Sequence, residues 1–244
     1  MIFLPYKTNY NHKPIFLYLP GMDGSGKLLR SQKSIWENFD VRCVAIPPHY
    51  GIQWQDLTEQ LIHLISLPLK ENREIYLCGE SFGACLAMKL MEKIPNLFTK
   101  VILVNSASAF NQRPWLNLGS YLTQLMPDFV YKGSTLILLP FIAKLEALNL
   151  RERQRLLNVM ASLPPTIVSW RINLLEKFFV DQDKLNQYKN EVLIVASGED
   201  NLLPSLQEAR RLKSIFTQSK INFLPHSGHC CLLEKQVDLL SLIQ

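Results

Sequence analysis

The sequence predicts an α/β fold in which a mostly parallel sheet is flanked by helices and interrupted by a helical insertion. In the first 105 residues, short apolar runs alternate with amphipathic segments of helix length. The same alternation resumes near residue 192 and continues to the end. Such alternation is typical of parallel sheets with helices on both faces. The 244 residues are enough for one domain of this kind with a large core.

The elements follow from the periodicity of the apolar residues. Predicted strands cover residues 15–19, 41–46, 74–78, 100–105, 192–196 and 221–224. Predicted helices cover residues 27–37, 54–67, 82–93, 204–216 and 231–243. Ligands on such sheets bind outside the carboxyl ends of the strands, so functional residues are expected directly after the predicted strands.

A G-x-S-x-G motif, Gly79 to Gly83, joins the third predicted strand to the third predicted helix. A turn this tight strains its central residue and requires small neighbours at both ends. The strain pushes the Ser81 hydroxyl out of the sheet at a helix N-terminus, where developing negative charge is favoured. The motif therefore predicts a nucleophilic serine; the alternative is a Gly-Ser turn that merely joins two elements.

A serine nucleophile needs a general base and a group that orients the base. In the α/β-hydrolase order, the acid and then the histidine follow later strands. We predict Asp200 as the acid, with Glu199 as the competitor, and His229 as the base, with His226 as the competitor. The remaining histidines are interpreted as surface or core residues: His12, His49 and His63.

The glycine-rich loop after the first predicted strand, residues 20–26, predicts an oxyanion hole. Glycines allow backbone N–H groups to turn toward the nucleophile. We expect the donors to be the N–H groups of Met22 and Phe82. The loop also fits the start of a phosphate-binding G-x-x-x-x-G-K motif, but Leu28 stands where Ser or Thr should hold magnesium. Nucleotide binding is therefore the weaker interpretation.

The interruption of the alternation predicts a cap over residues 107–189, with the core formed by residues 1–106 and 190–244. The cap is apolar, and Pro164-Pro165 divides its helical pattern. One interpretation is a helical subdomain whose apolar residues pack together. The other is a lid that lines an acyl or isoprenoid pocket, with Phe110, Trp115 and Leu118 as candidate substrate-binding residues.

Composition excludes a disordered, fibrous or membrane-spanning chain, because 48% of the residues are hydrophobic and the longest apolar run, residues 136–143, is too short for a bilayer. The net charge is +5, and residues 110–189 hold ten Lys and Arg against six Asp and Glu. A basic, apolar cap suits contact with anionic lipid, although an ordinary solvated face explains it as well. No nucleic-acid motif is visible.

We expect a cytoplasmic protein, with peripheral contact at a membrane surface as a further possibility. The start of the sequence has neither the basic region nor the cleavage site of a secretory signal peptide. Five scattered cysteines fit no zinc pattern and are interpreted as reduced packing residues: Cys43, Cys78, Cys85, Cys230 and Cys231. No metal or other cofactor is expected, and the sequence does not indicate an oligomeric state.

Several segments together resemble the esterase/lipase/thioesterase half of the phytyl ester synthase family, plastid and cyanobacterial acyltransferases that esterify phytol and diacylglycerol. The matching segments are residues 16–26, 76–86, 104–110, 192–204, 208–212 and 228–234. The resemblance implies an α/β-hydrolase fold with Ser81, Asp200 and His229 as the triad. Members of that family carry a second domain with a His-x4-Asp motif, and no histidine in this sequence is followed by Asp at that spacing.

These patterns predict a serine ester hydrolase that acts on a hydrophobic acyl or isoprenoid ester through an acyl-enzyme on Ser81. Release of the acyl group to water makes an esterase, lipase or thioesterase, and release to a lipid alcohol makes an acyltransferase. The alternative is a catalytically inactive protein on the same fold that binds a lipid or a protein partner.

Overall fold

The computed structural model describes residues 1–5, 12–46, 48, 51–66, 73–112 and 139–244. Its centre is a seven-stranded sheet with strand order β1-β3-β2-β4-β5-β6-β7. The strands are β1 Ile2–Phe3, β2 Ile15–Leu19, β3 Asp40–Ala45, β4 Ile75–Glu80, β5 Lys100–Val104, β6 Glu191–Ser197 and β7 Ser219–Leu224. β1 pairs antiparallel with β3, and all other pairs are parallel.

The described helices are distributed over both faces of the sheet. They are α1 Lys33–Asn38, α2 Trp54–Ser66, α3 Phe82–Lys93, α4 Leu150–Ala161, α5 Pro165–Glu176, α6 Gln182–Asn186, α7 Ser205–Ile215 and α8 Leu239–Ile243. Alternate residues of β2 face two separate apolar clusters. The first cluster contains residues of α2, α3, α5 and α7, whereas the second contains residues of α1 and α8.

The predicted α/β architecture is confirmed, and six strands lie within two residues of their predicted bounds. Two predicted helices are wrong in extent. The segment 27–37 forms a 3-10 turn, Leu28–Ser31, followed by α1, and the segment 231–243 forms a 3-10 turn, Cys231–Leu233, followed by α8.

The buried amide of Gln32 explains where the second of these predicted helices, residues 231–243, breaks. Its Nε2 donates to the carbonyl oxygens of Leu232 at 2.7 Å and Val237 at 3.0 Å. Its Oε1 accepts a hydrogen bond of 2.7 Å from the N–H of Leu239. Backbone groups that a continuous helix would pair internally are therefore satisfied by a side chain about 200 residues away in sequence.

The described part of the predicted cap packs onto the core. The Trp170 Nε1 of α5 donates to the carbonyl oxygen of Ile52, and Trp54 of α2 donates back to the carbonyl oxygen of Leu174. α4 instead contributes Leu156 and Val159 to a third apolar cluster. The bounds of the cap as a domain stay a prediction, since residues 113–138 lie outside the described part.

Among the described residues, no helix has both the length and the apolar composition needed to cross a membrane. The five cysteines are all buried and free.

The two motif glycines are required by packing. A Cβ on Gly79 would lie 2.5 Å from the carbonyl oxygen of Gly83. A Cβ on Gly83 would lie 2.1 Å from the carbonyl oxygen of Leu19 in β2. Both distances are too short for any real side chain, so the helix α3 can approach the strands this closely only when both positions are glycine.

We therefore expect Gly83→Ala to lower the free energy of unfolding in urea by about 3 kcal/mol or more. The clash involves backbone of a central strand, so no side-chain rotation relieves it. Gly21→Ala is the matched control, because its nearest contact would be an ordinary 3.6 Å, and its cost should stay below about 1 kcal/mol. Equal stabilities of the two variants would contradict this packing.

Candidate active site

Ser81 lies in the turn between β4 and α3 with a strained backbone, φ 52° and ψ −110°. Its N–H donates to the carbonyl oxygen of Val104 at 2.9 Å, and its own carbonyl oxygen accepts from Ala84 at 3.0 Å. These bonds tie the turn to β5 and to the first turn of α3. A non-glycine residue at positive φ costs energy that the surrounding hydrogen bonds offset, as is common at functional sites.

Three side chains predicted from the sequence form one hydrogen-bonded line. The Nε2 of His229 lies 3.0 Å from the Ser81 Oγ. The Nδ1 of the same ring lies 2.8 Å from the Asp200 Oδ2. All three residues are buried, with His229 only 4% exposed. The structure thus brings together residues 119 and 148 positions apart at the carboxyl ends of β4, β6 and β7.

Asp200 is held by groups of its own loop. Its Oδ1 accepts from the N–H groups of Leu202 at 2.9 Å and Leu203 at 2.8 Å, and its Oδ2 accepts from the Ser205 hydroxyl. Burial raises the pKa of Asp200, but the charge of His229 and these hydrogen bonds outweigh burial and hold the pKa below its usual value. Asp200 is therefore an ionised acceptor in a fixed orientation.

Burial lowers the pKa of His229, while Asp200, through its charge and its hydrogen bond, and the charge of Glu80 raise it, and the net shift is upward. The buried carboxylates thus favour the protonated ring more than burial disfavours it. An imidazole in this position accepts a proton from the Ser81 hydroxyl more readily than a free imidazole does. The arrangement can therefore take a proton from the serine and return it to a leaving group.

The two competing residues lie elsewhere. Glu199 forms an ion pair of 2.7 Å with Lys144 and contacts His226 at 3.4 Å. Both Glu199 and His226 are exposed, and neither is hydrogen-bonded to Ser81 or His229. Both acids follow the last residue of β6, Ser197, but Glu199 is exposed whereas Asp200 is buried against His229.

The glycine-rich loop lies against the serine, since a Cβ on Gly21 would be 3.7 Å from the Ser81 Cβ. Phe82 is the first residue of α3, so its N–H has no partner within the helix. Among the described residues, neither Met22 nor Phe82 donates a backbone hydrogen bond outside helices and strands. Phe82 directly follows Ser81 in the chain, and Met22 directly follows Gly21, the residue closest to Ser81 in the loop.

Arg171 of α5 fixes this loop from behind, a role that the sequence did not reveal. Its side chain is 1% exposed and donates to the carbonyl oxygens of Met22 at 2.5 Å and Ile46 at 3.0 Å. A Cβ on Gly24, where φ is +62°, would lie 2.4 Å from the Arg171 guanidinium. Burial lowers the pKa of Arg171 to about 10, although nearby Asp23 opposes the shift.

Asn105, directly after β5, is a second residue whose role the sequence did not reveal. Its Nδ2 donates to the carbonyl oxygen of His229 at 2.6 Å and to the Ser197 Oγ at 2.9 Å. Its Oδ1 accepts from the Ser197 N–H at 2.9 Å. One buried amide thus connects the end of β6 to the loop that carries the histidine. The available signal was an asparagine after a strand, since asparagine tolerates the positive φ of 42° found here.

Glu80, the residue before the serine, is buried and accepts a hydrogen bond from the Tyr18 hydroxyl. Burial raises the pKa of Glu80 to about 7, with Asp23 acting in the same direction and Tyr18 and His229 acting against it. Glu80 is thus a second ionisable group beside the histidine. Within the described ranges, no three His, Cys, Asp or Glu side chains are grouped as metal ligands would be.

The candidate substrate-binding residues are only partly described. Phe110 is buried in the first apolar cluster, and Trp115 and Leu118 lie outside the described residues. Of the three candidates, the structure therefore locates only Phe110, which lies in the core near α3.

Comparison with known proteins gives a consistent picture. The family model for the alpha/beta hydrolase fold matches residues 56–236. Phytyl ester synthase 1, chloroplastic, from Arabidopsis thaliana is 30% identical over 95% of this chain, and the chain spans 36% of that protein's length. Among solved structures, MenH from S. aureus superposes with a TM-score of 0.75 at 15% identity, covering 96% of this chain and 92% of MenH.

A second solved structure, the esterase EaEST from Exiguobacterium antarcticum, superposes with a TM-score of 0.71 at 18% identity. The superposition covers 88% of this chain and 85% of the esterase. At these identities the two solved structures establish similarity of fold alone.

Proposed function

Because this chain belongs to the α/β-hydrolase family, we propose that it is a serine ester hydrolase whose nucleophile is Ser81. The observation that carries the proposal is the hydrogen-bonded line from Ser81 through His229 to Asp200, with distances of 3.0 and 2.8 Å. Nucleophile, base and orienting acid are the three parts that a serine needs to attack an ester.

Acylation begins when the Ser81 Oγ attacks the ester carbonyl carbon and its proton passes to the Nε2 of His229. The tetrahedral intermediate collapses as the protonated ring gives that proton to the departing alcohol. Asp200 stays ionised throughout and stabilises the imidazolium by accepting its Nδ1 proton in a hydrogen bond. The lowered pKa of Asp200 and the raised pKa of His229 support these roles.

The carbonyl oxygen becomes negatively charged in the intermediate and needs donors that are already in position. We assign this role to the backbone N–H groups of Met22 and Phe82. The support is their unused hydrogen-bonding capacity beside Ser81 and the rigid attachment of the loop to Arg171. Each such donor typically contributes about 10² to 10³ in kcat.

Deacylation repeats these steps with a second nucleophile. His229 takes a proton from water, or from an alcohol, as that oxygen attacks the acyl carbon, and returns the proton to the Ser81 Oγ. Water yields a carboxylic acid, and a lipid alcohol yields a new ester, so one site supports both esterase and acyltransferase chemistry. The similarity to a relative named phytyl ester synthase supports a hydrophobic ester as the substrate of this chain.

We further propose that residues 107–189 form a lid over the site and that the substrate carries a long apolar acyl or isoprenoid chain. The apolar composition of this segment supports the proposal, as does its contact with the site through Arg171 and through the bond of 2.9 Å from the Cys230 N–H to the Ile142 carbonyl oxygen. A lid of this composition excludes water from the acyl-enzyme and accommodates an apolar chain.

A series of p-nitrophenyl esters of increasing acyl length tests the lid. We expect kcat/KM to rise by about tenfold or more from the shortest esters to the long ones, since each buried methylene contributes about 0.8 kcal/mol. Product analysis with and without a long-chain alcohol then separates hydrolysis from transfer. A preference for the shortest esters would contradict the lid, and a folded protein inactive on every ester would favour a lipid-binding protein instead.

A further inference from the structure

A basic surface cleft of about 880 Å³ includes Leu233, Glu234 and Lys235, which follow the candidate base His229 in the chain. Its walls come from three places: the 3-10 turn that follows the glycine-rich loop, the start of α4, and the turn that follows His229. The cationic side chains that line it are Arg30, Lys33, Arg151, Arg153, Arg155 and Lys235. Three of the six are arginines of α4, and the fold brings the other three to them.

The two carboxylates in the cleft walls do not neutralise this charge. Glu152 is buried and pairs with Arg155, and Glu234 is buried and accepts from the Gly228 N–H at 2.7 Å. Six cationic groups against two carboxylates leave an excess of four positive charges in one cleft. An excess of this size attracts a ligand or surface with several negative charges.

An exposed apolar side chain accompanies the cations. Leu150, the first residue of α4 and part of the cleft wall, is 81% exposed. A lipid–water interface suits this combination, because headgroup phosphates pair with Lys and Arg while leucine enters the acyl region. A small polar anion would make no favourable contact with the exposed leucine.

Apolar packing and a backbone hydrogen bond join the cleft wall to the loop that carries His229. Leu233 of the cleft wall lies four residues after the histidine and packs with Leu28, Leu148 and Cys230 in the third apolar cluster. The Lys235 N–H donates to the Ala147 carbonyl oxygen at 3.1 Å, which joins the same loop to the segment before α4. A lipid surface bound at the cleft therefore lies next to the loop that carries His229.

We propose that this cleft binds the phosphate headgroups of anionic lipids and holds the protein on a lipid surface, with Leu150 in contact with the acyl region. The proposal deepens the proposed function, because a hydrophobic ester would reach the site from the lipid phase. Binding itself needs no catalysis, so the inactive Ser81→Ala variant should bind lipid as the wild type does. Failure of the catalytic proposal and failure of this one are thereby distinguishable.

Flotation with vesicles of phosphatidylcholine, with and without phosphatidylglycerol, tests the proposal. We expect binding to the phosphatidylglycerol vesicles that weakens as sodium chloride is raised, and little binding to phosphatidylcholine alone. The double variant Lys33→Gln/Arg151→Gln should bind anionic vesicles roughly thirtyfold more weakly. Each cation near the surface raises the affinity for anionic vesicles about fivefold, and the variant removes two of them.

The matched control is Lys189→Gln/Arg210→Gln, which removes two exposed cations outside the cleft. The control should retain binding to within about threefold. Equal binding to both kinds of vesicle, or an equal loss in the two double variants, would overturn the proposal. A protein that binds inorganic phosphate by calorimetry but floats with neither vesicle would overturn the lipid assignment as well.

Discussion

The Ser81→Ala variant is expected to lose at least about 10⁴-fold in kcat on p-nitrophenyl esters. The Ser81 Oγ lies 3.0 Å from the Nε2 of His229 and is the atom that would form the acyl-enzyme. Alanine removes that atom but leaves the glycines, the loop and the two other triad residues in place. Rate measurements under saturating substrate, with thermal unfolding to verify the fold, provide the test.

Ser214→Ala is the matched control for this substitution. Ser214 is an exposed serine of α7 whose hydroxyl donates to the carbonyl oxygen of Arg211. Its loss should change kcat by no more than about twofold. Retention of a tenth of the wild-type kcat by a folded Ser81→Ala variant would mean that another group performs the chemistry.

Asp200→Asn is expected to lower kcat by about 10⁴-fold with little change in the fold. An amide at this position no longer stabilises the imidazolium, and it can turn its NH₂ group toward the Nδ1 of His229, which favours the tautomer with the proton on Nε2. That tautomer cannot accept the Ser81 proton. The hydrogen bonds from Leu202, Leu203 and Ser205 to Asp200 show how closely the carboxylate is held in its present orientation.

The neighbouring substitution Glu199→Gln is the matched control, because it makes the same chemical change one residue earlier. Glu199 is exposed and pairs with Lys144, so its neutralisation should alter kcat by no more than about twofold. If Glu199→Gln were the more damaging of the two variants, the assignment of the acid would be wrong.

Residues that act through local chain geometry could be predicted from the sequence. The G-x-S-x-G motif requires a strand before it and a helix after it, and apolar periodicity supplies both around Ser81. Parallel strands carry their carboxyl ends to one edge, so Asp200 and His229, each directly after a strand, were expected near the serine. The distances of 3.0 and 2.8 Å in the structure agree with that topology.

Residues that act through contacts distant in sequence could not be predicted. Arg171 donates to the carbonyl oxygen of Met22, which is 149 positions away in the sequence. Asn105 donates to the carbonyl oxygen of His229, which is 124 positions away. No apolar periodicity or catalytic motif identifies the contacts of either residue, because each role depends on how separate elements pack. The break between the 3-10 turn Cys231–Leu233 and α8 has the same origin, since the spacing of apolar residues gives no information about the hydrogen bonds of Gln32.

The central claim is that His229, oriented by Asp200, activates Ser81 as a nucleophile. Reaction with a fluorophosphonate, followed by mass spectrometry of the peptides, tests this most directly, because the reagent captures an activated serine without a known substrate. We predict one adduct, on Ser81, that forms on the wild type and is absent from a folded His229→Gln variant. A folded wild-type protein that acquires no adduct, or acquires it on another residue, would contradict the claim.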